Sequence, residues 1–151
     1  MKQRFLTPSA VVVALLRGDG ENTEILLQRR KNTGFADGLW DLSCSGHVEE
    51  GESMTASAVR ECREELGIEL VYDDLHFFLL IHKRDREFDL TYYNGYFVCK
   101  IFKGEPAVCE CNKCEELRWF NLKKLPQDMI PDRKLAINAL LNRIPYLEYG
   151  W

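Results

Sequence analysis

The chain has 151 residues, 46% of them hydrophobic and 29% charged, with a formal net charge of −4. This is one domain's worth of sequence, long enough to bury a core without staples. No stretch approaches the roughly 18–20 apolar residues that a membrane helix needs, and slight acidity offers no broad attraction for a nucleic-acid polymer. The opening MKQRFLTPSAVVVALLRGDG has a basic start and an apolar run, as a signal peptide does. Pro8 interrupts it early and no small-residue cleavage site follows, so residues 11–16 read as a buried strand and a cytoplasmic location is expected.

SAVVVALL suits a central strand, GDGEN a turn, and TEILLQRR a second strand, which predicts a hairpin. KNTGFADG reads as a loop and LWDLSCSGHV as an extended segment around a turn. Ser53 is a candidate N-cap for a helix over 54–66, and Gly67 is a natural residue to end it. LVYDDLHFFLLIHKR and LTYYNGYFVCKIF each read as one strand, rich in aromatic and β-branched residues, and KCEELRWFNL as a shorter one. A second helix is predicted over DRKLAINALLNRI, started by Pro131, with Leu135, Ala139 and Ile144 near helical spacing. The order of strands, helix, strands and helix predicts one mixed α/β domain of sandwich type over residues 1–151.

Six cysteines require a choice of chemistry. Cys44, Cys62 and Cys99 lie in apolar segments, where a free thiol behaves as a small hydrophobe. Cys109, Cys111 and Cys114 cluster as CECNKC. A structural zinc site normally takes four ligands and no fourth is near, so reduced thiols are expected.

On a helix over 54–66, Ala58, Cys62, Thr55, Leu66 and Val59 share an arc of roughly 100°, the face that packs on a sheet. Glu61, Glu64 and Glu65 fall on the adjacent arc, with Arg60 just beyond. Like charges at such spacing cost a helix a few tenths of a kcal/mol per pair. A divalent cation removes the conflict, because Mg²⁺ takes its oxygens from carboxylates, waters and substrate phosphates. The plain alternative is an acidic, solvated helix.

The surrounding residues decide between them. Gly46, Glu52, Arg60–Glu61, Cys62, Glu64–Glu65, Gly67 and Ile68 stand at the spacings of the Nudix box, and the segment resembles it in full. Seven fixed identities recur by chance on the order of 10⁻⁸ per start position. The chain is therefore similar to the Nudix hydrolases, MutT-like members included. The resemblance implies an α/β/α sandwich around a mixed sheet. It also implies hydrolysis of a nucleoside diphosphate linked to another group, using Mg²⁺ or Mn²⁺. It further implies that Glu61, Glu64 and Glu65 supply metal oxygens together with a backbone carbonyl of Ser45 or Gly46. Glu52 and Arg60 resemble the pair that tethers the loop to the helix. Glu64 or Glu61 is favoured as general base, with Glu110, Glu115 and Glu116 outside them.

Arg29 and Arg30 end the second strand. By alignment with MutT-like members Arg30 holds a substrate phosphate, for which a guanidinium fork is suited; a solvated strand end is the alternative. Phe35, Trp40, Tyr92, Tyr93 and Phe97 read as core, with one or two left to line a cleft. Asp132 and Asn138 are weak candidates for a base edge. Where many nucleotide-cleaning members have Pro-Gly-Gly, this chain has Cys44–Ser45–Gly46, which also faintly resembles isopentenyl-diphosphate isomerase. There the catalytic Cys directly precedes Gly-His; here Ser45 does, and one step along a strand reverses the face. The expected substrate is a small nucleotide, foremost a nucleoside triphosphate or a modified one, with nucleotide sugars or other diphosphates as the alternative. A silent nucleotide-binding module is a further alternative, weakened by the complete glutamate set. No membrane and no nucleic-acid polymer are expected as partners, and a homodimer is allowed.

Overall fold

The computed structural model describes residues 4–151. Strand β1 (Ser9–Arg17) lies at the centre, and its valine-rich run is buried on both faces. Side chains alternate along a strand, so Val11, Val13 and Leu15 enter one core and Val12, Ala14 and Leu16 the other. The first core is closed by α1 (Met54–Leu66) through Ala58, Val59, Cys62 and Leu66. The second is closed by α2 (Pro131–Asn142) through Ala136, Ile137 and Ala139. The result is the expected α/β/α sandwich.

The predicted hairpin of β1 with β2 (Glu24–Arg30) forms, but the two strands pair only at Leu16–Ile25 and Arg17–Glu24. Beyond that point β1 takes β4 (Cys44–His47) as its antiparallel neighbour from Ala10 to Val13. β2 goes on to pair with β3 (Trp40–Leu42). The extended segment at 39–48 is thus two strands divided at Ser43, whose hydroxyl donates to the Val13 carbonyl at 3.1 Å.

The two long strands predicted next are each interrupted. After α1 come β5 (Glu69–Leu70), a 3₁₀ turn at Tyr72–Asp74, and β6 (His76–Asp85). Then come β7 (Leu90–Cys99) and β8 (Phe102–Lys103). Asp74 lies in the first break and caps the second. Its carboxylate accepts the backbone N–H groups of Lys100 (2.8 Å) and Ile101 (2.6 Å), which leave the ladder there. β6 pairs antiparallel with β7, and β7 runs parallel to β1 from Ser9–Tyr93 to Leu15–Cys99. β9 (Cys114–Asn121) pairs with β2. The tail adds β10 (Tyr146–Tyr149), parallel to β6, a strand that the sequence reading did not anticipate.

Helix α1 begins and ends as its sequence dictates. The Ser53 hydroxyl accepts the Ala56 N–H at 3.1 Å, a cap worth about 1 kcal/mol. Gly67 takes the left-handed conformation at φ 69°. Helix α2 does start at Pro131, but its buried face differs from the expected one. Leu135 and Leu141 are exposed, while Asp132 and Arg133 are buried beside Ala136 and Ile137.

Candidate active site

One cleft of about 790 Å³ opens where α1, β4 and the sheet meet. Glu61, Glu64 and Glu65 form one wall, with Ser45, Gly46 and Arg60 beside them. The α1 face predicted to pack on the sheet does so, which turns the glutamate arc toward the cleft.

The three carboxylates differ in setting. Glu64 is the most open, its side chain 55% exposed against 13% for Glu61. Glu61 lies so close over the β4 backbone that any side chain at Gly46 would overlap its carboxylate. Burial raises the Glu61 pKa, opposed by Arg60. Glu65 is deeper. Burial first, then the nearby Glu61 and Glu110 charges, push its pKa up to about 7, although the Ser45 N–H donates to Oε2 at 3.1 Å.

Arg60 holds this wall together. Its Nε and Nη2 form a fork on Glu52 at 2.8 and 3.0 Å. Nη1 reaches Glu61 at 2.8 Å and Glu64 at 3.3 Å, and Nη2 also donates to the His47 carbonyl at 3.1 Å. The Glu52 carboxylate accepts the Glu49 N–H as well. The fork and this backbone bond lower the Glu52 pKa to about 2. Glu52 and Arg60 thus join the loop before α1 to the helix, and Arg60 offsets part of the repulsion between Glu61 and Glu64.

Among the described residues, no three carboxylate, thiol or imidazole groups are gathered into a ready cation cage. The glutamates form an open wall instead. That donor set fits a hard divalent ion of the Mg²⁺ type, which binds a few carboxylate oxygens and completes its shell with water and phosphate oxygens.

Of the two arginines, Arg30 lines the cleft and Arg29 does not. Strand alternation sends Arg29 the other way, to the Gly38 carbonyl and toward Asp128. Arg30 is itself engaged, donating to Asp41 (2.9 Å), the Phe35 carbonyl (2.9 Å) and Thr33 (3.0 Å). Of the outlying base candidates, Glu110 lines the cleft and pairs with Lys113 at 3.1 Å. Glu115 and Glu116 lie outside it, toward Arg29 and on Arg118. Phe35 and Tyr92 line the cleft, whereas Trp40 and Phe97 are core and Tyr93 stacks on His82. Asp132 is buried against Lys83 and Arg133, and Asn138 bonds Asn142; neither lines the cleft. The Cys44 thiol is wholly buried in the core under α1, while Ser45 faces the cleft. In CECNKC, Cys109 and Cys111 are exposed and Cys114 is buried.

The sequence reading missed the floor of the cleft. Arg133 donates to Asp41 (2.6 Å) and to the Tyr96 hydroxyl (2.7 Å), and Lys83 donates to Asp132 (3.1 Å). Asn94 and Gln28 are buried there too. A lone Asn within an otherwise apolar, aromatic strand was the available signal.

The NUDIX domain family model matches residues 6–140. The chain belongs to the NUDIX family. This Nudix chain is 32% identical over 136 residues to a Bacillus subtilis (strain 168) protein named "Putative 8-oxo-dGTP diphosphatase", across 90% of this chain and 80% of that protein. It is also 32% identical over 136 residues to an NAD-capped RNA hydrolase, NudC, of Stutzerimonas stutzeri (strain A1501), of which it spans 43%. The crystal structure of a MutT NUDIX hydrolase from Burkholderia pseudomallei superposes with a TM-score of 0.78 at 29% identity, covering 89% of this chain and 98% of that one. The protein is a Nudix hydrolase acting on diphosphate bonds. Among its described residues no helix is long and apolar enough to cross a membrane.

Proposed function

We propose that this Nudix hydrolase cleaves a nucleoside triphosphate, ordinary or modified, to the monophosphate and pyrophosphate. The observation that carries the reading is a single cleft with the glutamate wall on one side and the rings of Phe35 and Tyr92 also lining it. Carboxylates for a metal-bound phosphate chain and aromatic faces for a base thus share one cleft. The similarity to the Bacillus subtilis protein supports the same substrate class.

Glu61 and Glu65, the more buried pair, would hold the divalent ion with backbone oxygen from Ser45 or Gly46. Bound there, Mg²⁺ or Mn²⁺ neutralises phosphate charge and acidifies water. Glu64 keeps an open carboxylate toward the cleft and takes the proton of the attacking water. Arg60 positions Glu61 and Glu64, and Glu52 positions Arg60. Arg30 turns its remaining N–H groups to a phosphate while Asp41 holds its plane fixed. Arg29 has no part in this assignment.

A panel of nucleoside triphosphates, nucleotide sugars, dinucleoside polyphosphates and ADP-ribose, assayed with Mg²⁺ and resolved by chromatography, tests the reading. Triphosphates should yield monophosphate and pyrophosphate. Efficient turnover of nucleotide sugars or isoprenoid diphosphates with every triphosphate inert would overturn it.

A further inference from the structure

Asn94 sits within β7 with 6% of its surface exposed, and its Oδ1 has no hydrogen-bond partner. Among the described residues it is the one buried side-chain polar atom in that condition. Buried carbonyl oxygens almost always find a donor, because an unmet one gives up its hydration without return. Asn94 lines the cleft, so a ligand can supply the donor.

The surroundings narrow which part of a ligand arrives. Asn94 is in register with Ala10 of β1, and Ala10 with His47 of β4. Ala10 adds only a methyl group between them, leaving room above the sheet. Two strand spacings, roughly 10 Å, therefore separate Asn94 from β4, whose other face seats Glu61. A 5′-phosphate, its sugar and its base cover a similar span. Of the cations lining the cleft, Arg133 is held by Asp41 and Lys83 by Asp132. An unmet acceptor calls for an N–H or O–H donor, which the edge of a nucleobase carries and an ionised phosphate does not.

We propose that Asn94 reads the nucleobase, its Oδ1 accepting a hydrogen bond from an exocyclic amine on the base edge. The inference rests on the triphosphate reading above. It makes Asn94 a specificity residue that touches substrate without taking part in bond cleavage. The lone oxygen is left unmet in the free protein because the amine meets it on binding.

The test compares triphosphates that differ by one amine: ATP against purine riboside triphosphate, and GTP against ITP. Each is assayed with the full chain, with Asn94→Leu and with Asn94→Ala. Wild type should prefer the amine-bearing member of one pair by about tenfold in kcat/KM, the scale of one neutral hydrogen bond, carried mainly by KM. Both variants should lose that preference. Asn94→Leu should also melt at the same or a higher temperature, since an unmet polar group is replaced by an apolar one of similar shape. The Ala variant, which adds no bulk, carries the comparison if the Leu variant folds poorly. A wild type indifferent to the amine in both pairs overturns the inference, as does an unchanged preference in the variants; the triphosphate reading survives either result. A wild type inert toward every triphosphate overturns both.

Discussion

A Cβ atom on residue 46 would fall 1.9 Å from Glu61 Oε1, so the β4 glycine and the α1 glutamate fit only as a pair. The obstacle is the end of a flexible side chain. Gly46→Ala should therefore fold and displace the Glu61 carboxylate rather than the sheet. The expected result is a drop in kcat of at least tenfold with circular dichroism unchanged. Full activity in Gly46→Ala would show that Glu61 need not rest on the β4 backbone.

Glu64 is half exposed, and Arg60 at 3.3 Å is its side-chain partner. Glu64→Gln should leave stability nearly unchanged and cut the rate by roughly a hundredfold or more, the scale of losing a positioned catalytic group. Wild-type turnover in this variant would move the proton transfer to another residue, with Glu110 next in line.

Removal of divalent ions should abolish turnover, and returning Mg²⁺ should restore it. An enzyme fully active after exhaustive chelation would sink the cation role of the glutamate wall.

Two carboxylates give stability opposite dependences on pH. The Glu52 pKa falls to about 2, below its ordinary value near 4.5, so its contribution is complete above about 4.5 and is lost as pH falls toward 2. The Glu65 pKa rises to about 7. Its folded form holds the proton more tightly, so stability falls as pH rises from about 4.5 through 7. In chelator, Glu65→Gln should raise the melting temperature at pH 8 and lose that gain near pH 4. Glu52→Gln should do the reverse, destabilising at pH 7 and mattering little near pH 2. Melting curves of both variants across pH check the signs.

Asp41 is wholly buried and compensates two guanidinium groups, those of Arg30 and Arg133. Asp41→Ala should destabilise by about 3–5 kcal/mol, because it leaves buried charge unpaired. Denaturant unfolding measures this. A loss under about 1 kcal/mol would mean that water or another residue takes over the pairing.

The glutamate wall was legible in the sequence because helix geometry is local. Residues 54–66 carry their own caps in Ser53 and Gly67, and a 3.6-residue period fixes which side chains share a face. Once Ala58, Cys62 and Leu66 pack on the sheet, Glu61 and Glu65 have nowhere to point except along its edge. The two-residue period of β1 was equally local, and it placed both cores. Other features depended on contacts far apart in the chain. Asp74 marks the end of β7 by capping N–H groups that are 26 and 27 residues away. Arg133 meets Asp41 across 92 residues, and no period in either segment announces that partner. The same holds for Asn94: its strand could be read from the sequence, but its missing hydrogen bond could not. The sequence by itself determined the strand alternation, the capped helix and the carboxylates it presents. Only the tertiary structure decided which buried charges pair on the cleft floor and which polar atom is left for a ligand, because those outcomes depend on how distant segments meet as the sheet is assembled.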